Sequence, residues 1–511
     1  MTITANRSQL IWTPLFGWAL LSLTTGSAWA QIVLDPTSSQ TPADVTVVPG
    51  GAVPPAGPTG QLPPYTIPGV TGPATIGGTT LGSTSTTPAP KTPSPIAPDN
   101  PLTPAPSVYS STGQILNGAP LTLQTFAGGG DGGEELGVTY GAFTLYPSID
   151  ITVGYDNNVY AQNAATGPVT GALLTTFVPQ VALQSNWLRH SMRGVLGGGF
   201  GVYAGNSNQN YQNYNTSLDF TFDITDDLRI SPSIGFRRAT EAVGTPNTAI
   251  STAPTVDDSV PLKLGIYQRF NRFYYDISGT ATRHWYQDNG VVASTSLPAA
   301  SRDRWEYTEQ LRFGYEISED FALYVAPTFS QTRYMLKSNI DDQDRDQNQS
   351  GVGLGATWTI SPTSSFDGGL GFSGTSGTST WVGRFSGSWN GYEPLTLRPT
   401  FSRSIDQSAL SQYQNVVTTA IGVPFSYVIN SDWMLTGGLS YTTAQYVPIP
   451  GTTSPPRVDT IFRGGLGLMY NLRPQVSIGP NWEYTSASST DPVNGPFYTR
   501  QIFSVRLTAR R

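Results

Sequence analysis

Tyr140-Gly141-Ala142-Phe143-Thr144-Leu145-Tyr146-Pro147-Ser148-Ile149-Asp150-Ile151-Thr152-Val153-Gly154-Tyr155 is the stretch on which the fold turns. Phe143, Leu145, Ile149, Ile151, Val153 and Tyr155 are apolar, and Thr144, Ser148, Asp150 and Thr152 between them are polar. Side chains of an extended chain point alternately to opposite faces, so this period of two predicts a strand with one oily and one wet face. The pattern returns down the chain. Phe177, Val181 and Leu183 alternate with Gln180 and Gln184, and Leu218, Phe220, Phe222 and Ile224 with Asp219, Thr221 and Asp223. Further runs include Trp305–Ile317, Phe321–Phe329, Val352–Ile360, Trp381–Trp389, Val417–Ile429, Trp433–Tyr441, Val458–Tyr470, Val476–Tyr484 and finally Phe497–Leu507. They number about 18, with about 16 as the lower count.

The connections alternate as well. Short polar turns are predicted at Leu188–His190, Thr225–Asp227, Asn271-Arg272, Ser318–Asp320, Ser361–Thr363, Asn390-Gly391, Asn430–Asp432 and Asn471–Pro474. Longer loops fall between them, among them Ala239–Ser259, Gln287–Arg302, Lys337–Gln349 and Val447–Arg457, with Ala239–Ser259 read as the longest. Short turns at one end and long loops at the other are the habit of outer-membrane barrels, whose long loops face out of the cell. Both ends of the barrel then lie on the periplasmic side. A recurring x-Pro-x-apolar element, at Pro147, Pro232, Pro327, Pro399 and Pro480, suggests a tolerated bulge at the barrel rim or a duplicated hairpin, because proline removes a ladder donor.

Composition agrees with a wall between lipid and water. Of 511 residues, 38% are hydrophobic and only 12% charged, whereas soluble domains carry about 25% charged residues. The net charge of −7 argues against nucleic acid as a partner. There is no cysteine, which excludes disulfides, thiolate metal sites and cysteine nucleophiles. Residues 1–30 read as a signal peptide: Arg7, an apolar core from Leu10 to Leu23, and Ala28-Trp29-Ala30 before a cleavage at Gln31. Residues 31–134 are rich in Pro, Thr and Gly and are expected to be a disordered periplasmic segment, ending in the hinge Gly128–Gly133. The barrel domain is expected over 135–511.

A soluble β-sandwich or propeller also alternates. Long strands and aromatic residues near their ends (Trp187, Trp285, Trp305, Tyr315, Trp358, Trp381, Trp389, Trp433, Tyr470, Trp482) favour a membrane barrel with interfacial girdles. The expected fold is therefore all-β, a transmembrane antiparallel up-and-down barrel. An unpaired backbone group in hydrocarbon costs several kcal/mol, so the C-terminal strand must pair with Tyr140–Tyr155.

Gly141–Ile149, followed by Gly154-Tyr155-Asp156-Asn157-Asn158-Val159-Tyr160, resembles the opening of the β-barrel porin 2 class, a first strand with a Pro-Ser/Ile element and then a Tyr-Asp-Asn-Asn-aromatic loop. The resemblance spans about 140–511 and implies an outer-membrane barrel, with a hint of exopolysaccharide or biofilm-matrix export. It also implies that the loop between strands five and six, as in general porins, folds inward to narrow the pore. The chain departs from the aromatic C-terminus of many such barrels by ending Leu507-Thr508-Ala509-Arg510-Arg511, which leaves Phe503 as the insertion signal for the barrel-assembly machinery.

On the polar phase, Arg229, Asp276, His284, Arg312, Arg398, Arg463 and Glu483 are expected to line the pore. Glu241, Asp257 and Asp258 are expected on the constricting loop, facing Arg398 and Arg463. Asp342, Asp344 and Asp346 have the spacing of half a calcium loop, but Gln347 stands where the turn glycine belongs, so a solvated acidic loop is preferred. With His190 and His284 as its histidines and no serine at a diagnostic spacing, the chain is read as no enzyme, with no metal and no cofactor. Three functions follow: a channel for polysaccharide export, a diffusion porin for small solutes, or a structural or adhesive outer-membrane protein. The expected partners are outer-membrane lipid and lipopolysaccharide, the assembly machinery and components of polysaccharide secretion.

Overall fold

The structure is a computed structural model that describes residues 137–336, 344–361, 363–452, 454–491 and 494–511. The expected signal peptide, the 31–134 segment, the glycine hinge and Asp342 lie outside the described residues. A short strand, β1 (Val138–Tyr140), precedes β2 (Phe143–Asp156), β3 (Ala172–Ser185), β4 (Ser191–Tyr203), β5 (Tyr211–Asp223), β6 (Leu228–Glu241) and β7 (Thr255–Phe270). Next come β8 (Phe273–Gln287), β9 (Arg304–Glu316), β10 (Phe321–Tyr334), β11 (Gln347–Ser361), β12 (Ser364–Thr375) and β13 (Thr378–Tyr392). The last are β14 (Leu395–Leu397), β15 (Thr400–Gln407), β16 (Tyr413–Val428), β17 (Trp433–Pro448), β18 (Arg457–Arg473), β19 (Val476–Ser489) and β20 (Tyr498–Arg510). β14 and β15 are one stave interrupted at Arg398-Pro399, since both pair with β13 on one side and β16 on the other.

Each stave pairs antiparallel with the next, and β20 returns to β2 from Ser148↔Arg510 to Asp156↔Ile502, so the sheet closes as expected from the terminal runs. With β1 set aside and β14 and β15 taken as one stave, the barrel has 18 staves. Every backbone group along a closed wall has a neighbouring strand, which is what hydrocarbon demands. β1 pairs with the start of β2 (Val138↔Leu145 to Tyr140↔Phe143). β3 covers the other edge of β2 along its whole length, so β1 shares an edge with β20 and sits just past the C-terminus.

The two ends of the barrel differ as the sequence predicts. Turns such as Asn271-Arg272, with Asn271 at φ 57°, close one end. Asn390-Gly391 falls inside β13, and that turn moves to Glu393-Pro394. At the other end most connectors are longer, but β15 and β16 are joined by residues 408–412 alone and β12 and β13 by Ser376-Gly377, where Gly377 takes φ 81°.

The alternation partitions as expected. Large apolar side chains such as Leu196, Leu354, Leu370 and Phe372 lie outward, each more than 60% exposed, while Thr152, Thr176, Asp257, Arg312 and Arg463 face in and are buried. The row of cross-strand partners Ser148, Gln180, Gly197, Asn215, Arg237, Ser259, His284 and Arg304 starts in the lower half of β2 and ends at the long-loop tip of β9. Rows therefore climb toward the long-loop end in chain order, the signature of tilted strands.

The prolines make no bulge. On β5–β6 the pairs Asp219↔Ser233 and Phe222↔Ile230 flank Pro232 with the register unchanged, and Val325↔Phe313 and Thr328↔Gln310 do the same around Pro327. A proline here leaves a gap in one ladder and keeps the pleat, with its ring on the lipid-facing phase.

Candidate functional site: the lumen and its crossing loop

The connector between β6 and β7 reaches across the lumen. Its stems continue as strand through Glu241 and from Thr255, so only residues 242–254 are free of the ladder. In chain order β6 and β7 are staves five and six, and β15 and β17 are staves thirteen and fifteen, on the opposite wall of the barrel. The loop bridges them. The Asn247 backbone N–H donates to the Tyr446 hydroxyl on β17 (2.6 Å), its side-chain amide donates to the Gln407 carbonyl on β15 (2.8 Å), and its Oδ1 accepts from the Ala409 N–H (2.9 Å). Asn247 adopts φ 55°, a left-handed conformation that asparagine tolerates better than most residues. Gly244 takes φ 80° and lies so near Ala161 and Tyr498 that a side chain there would collide with them. Nearby, Ala242, Val243 and Thr245 meet Arg463, Glu483, Tyr498 and Arg500, leaving about 10 Å³ between them, room for about one water.

A second connector reinforces the first. In the β8–β9 loop Leu297 N–H donates to Ala409 O (2.9 Å), and Ser411 N–H donates to Thr295 O (3.0 Å). Ile250 N–H donates to the Ser296 hydroxyl (2.8 Å), tying this loop to the crossing one. Arg345, ahead of β11, donates to the carbonyls of Tyr413 and Ser411. Leu297, Leu410 and Tyr413 are each 3% exposed or less, so the meeting point is a packed plug under the long-loop end.

At the stems of the two loops the charges pair. Glu241 accepts two hydrogen bonds from Arg302 (2.8 and 2.7 Å), whose guanidinium lies 4.1 Å from the Tyr286 ring centroid. Burial works against the charge of Arg302, but the Glu241 carboxylate more than reverses this and holds its pKa above the ordinary arginine value. Below them, His284 Nδ1 is 3.0 Å from Asp257 and its Nε2 3.6 Å from Glu306, which also accepts from Arg304 (2.7 Å).

The other expected lining residues sit on the inward phase. Arg229 pairs with Asp223 (2.7 Å) near the short-turn end. Arg312 pairs with Asp367 (3.0 Å) and lies 4.0 Å over the Tyr324 ring, with Asp276 its cross-strand partner on β8. Arg398 falls on the inward phase at the break between β14 and β15, with its N–H donating to Pro424 O (3.0 Å). Arg463 and Glu483 flank the tip of the crossing loop.

The acidic residues assigned to the loop need correction. Glu241 ends β6, and Asp257 and Asp258 belong to β7, because the ladder extends past the boundaries the alternation suggests. The β6–β7 connector is accordingly shorter than the β8–β9 one. Asp258 is opposite Trp285, on the outward phase, and is held by two hydrogen bonds from Arg238 (2.7 and 2.6 Å). The carboxylates thus pair locally with Arg302, His284 and Arg238, and small loop residues meet Arg463 instead. Asn247, Arg302 and Tyr446 are functional candidates that sequence reasoning missed. Gly244-Thr245-Pro246-Asn247 is a turn-rich signal, but nothing in it names a partner on the far wall. Asp344 accepts from the Asp346 N–H and Asp346 from the Tyr334 N–H, so backbone donors occupy these carboxylates.

A closed antiparallel barrel with lipid outside, charges and hydroxyls inside, and a loop folded across the bore is a porin-like protein of the outer membrane. The chain belongs to the family described as putative beta-barrel porin 2, whose profile matches residues 131–511. No curated protein matches it. Among solved structures it is similar to the siderophore receptor PirA from Pseudomonas aeruginosa, at 8% identity over 72% of this chain and 80% of that one, with a TM-score of 0.38. OccAB3 from Acinetobacter baumannii matches at 11% identity over 72% and 99% of the two chains, TM-score 0.37. The copper transporter OprC matches at 9% over 73% and 81%, TM-score 0.39.

Proposed function

We propose that the protein is a constricted diffusion channel for small polar solutes, with the β6–β7 loop as its size filter. The observation that carries this reading is the anchoring of Asn247 to Tyr446, Gln407 and Ala409 on the far wall. A loop fastened at both stems and at its middle divides a bore that would otherwise be wide enough for an open aqueous channel. The wall on either side offers hydroxyls and paired ions, which exchange hydrogen bonds with a polar solute without a strong preference for one sign of charge. Swelling of liposomes in sugars of graded size tests it. Uptake of small sugars with a sharp cut-off supports the filter, and an impermeable barrel or one that passes large oligosaccharides freely rejects it.

Export of a polysaccharide is the second reading. It is favoured by the hydroxyl and tyrosine side chains of the inner wall, such as Tyr324, Tyr446, Tyr498, Thr418 and Thr436. A polymer would require the crossing loop to swing aside. Deleting the gene and measuring surface polysaccharide alongside monomer uptake separates the two, because a filter affects uptake and an exporter affects the surface polymer.

A further inference from the structure

The outward phase of β9 runs Trp305, Tyr307, Glu309, Leu311, Phe313, Tyr315. Glu309 breaks it. Its register partners are Gly279 on β8 and Phe329 on β10, and Phe329 is 48% exposed, which puts the carboxylate on the lipid face. Trp305 and Tyr307 lie toward the long-loop end and Phe313 and Tyr315 toward the other, so Glu309 stands between the two aromatic girdles. Beside it, the space where a side chain of residue 279 would be is open. Among the described residues Glu309 has no hydrogen-bond or ion-pair partner. Ionisable groups at such depth are costly and characteristically find a partner.

The other outward charges on this side come in opposite-sign pairs near the long-loop end: Arg238 with Asp258, Arg283 with Asp303, Arg333 with Asp346. Arg403 on β15 differs. It lies opposite Gly383 and Thr419 on the lipid-facing phase, 4.5 Å from the Trp381 ring centroid, and donates to Thr419 and Thr380 hydroxyls and the Trp381 carbonyl. Among the described residues no carboxylate meets it.

We propose that Glu309 of one copy of this chain pairs with Arg403 of the next, in a ring of copies standing side by side in the membrane. Three observations carry it. Each group lacks in its own copy the charge that the other would supply. The heights agree: from Arg403 the cross-strand row runs back through Gly383, Leu370, Leu354 and Val325 to Phe313. That row descends toward the short-turn end because the strands tilt, and Glu309, two outward positions above Phe313, returns to nearly the level of Arg403. Rotation about the membrane normal preserves height, so neighbouring copies present the two groups level. Finally, the residues are five staves apart out of eighteen, too far round the wall to meet the same neighbour, which suits the head-to-tail contacts of a ring.

The absence of native cysteine makes the test direct. The full chain carrying both Glu309→Cys and Arg403→Cys is oxidised in its native outer membrane and run without reductant. A ladder extending beyond dimers is expected from the double variant, and none beyond dimers from either single variant. In parallel, native mass spectrometry in mild detergent should show oligomers for the wild type, monomers for Glu309→Arg and for Arg403→Glu, and oligomers again for the two together. Heat-modifiable migration on gels confirms that each variant is a folded barrel. A monomeric wild type, cross-linking of the Glu309→Cys chain to a different protein, or a double swap that stays monomeric overturns the proposal.

Discussion

The backbone N–H of Asn247 and the hydroxyl of Tyr446 lie 2.6 Å apart although 199 residues separate them in sequence and the bore of the barrel separates their strands. This bond fixes the middle of a loop whose ends are already fixed in the wall, and under the proposed function that loop limits flow. Asn247→Ala removes the side-chain bonds to Gln407 and Ala409 and puts alanine, which tolerates the left-handed region less well than asparagine, at φ 55°. A loss of about 1–3 kcal/mol in loop anchoring is expected, with larger single-channel conductance and more frequent substate transitions in planar bilayers. Unchanged conductance and noise would show that the loop does not limit flow.

The Glu241–Arg302 pair joins the stems of the two plugging loops. Arg302→Ala leaves a carboxylate with little water around it, and removal of one partner of a buried pair costs about 3–5 kcal/mol. The expected result is a lower temperature for loss of heat-modifiable migration, together with increased protease cleavage within 242–254 and 288–303. Replacing both residues with well-packed apolar ones should recover most of the loss, which distinguishes an orphaned charge from a missing contact.

The closing seam has its own clamp. Asp156 on β2 is fully buried and accepts hydrogen bonds from Nε and Nη2 of Arg500 on β20, and Arg500 also reaches the Tyr203 hydroxyl (2.8 Å). Arg500→Ala should lower the urea midpoint for unfolding in detergent by an amount equivalent to about 3–5 kcal/mol. Amide exchange should rise first along Tyr498–Ile502 and on the facing part of β2. Equal exchange in both forms would mean that the seam does not depend on this clamp.

The lipid-facing prolines allow a test of opposite sign. Pro327 interrupts the β9–β10 ladder without shifting its register. Pro327→Val restores an N–H where a carbonyl waits in hydrocarbon, so stability should rise by about 1 kcal/mol, read as a higher urea midpoint. A fall would show that the gap serves strand curvature.

The sequence makes the wall legible because lipid and water enforce strict alternation: Phe143 to Tyr155 already specify the first stave, and the terminal run Phe497–Leu507 its partner. Legibility fails near the rim. There Asp257 and Asp258 are polar on both phases, alternation vanishes, and a strand looks like a loop. The inward fold of the β6–β7 connector is implied by the resemblance to general porins, but its anchor cannot be read from the sequence. Asn247 meets Tyr446 through the curvature of the whole barrel, and no local pattern records that curvature. Glu309, in contrast, shares a phase with Trp305 and Tyr307 in plain view, and its oddity becomes apparent once that phase is known to face lipid.

β1 has a consequence for how the last stave docks. It occupies the lower part of the same β2 edge that receives β20, and the Arg511 N–H already donates to Pro147 O just above it (3.0 Å). A final strand sliding toward the short-turn end would run into Val138–Tyr140, and a slip of one residue either way would turn Phe503 and Val505 into the water and Arg506 into lipid. The opening hairpin thus acts as a doorstop, leaving the zipper one place to finish.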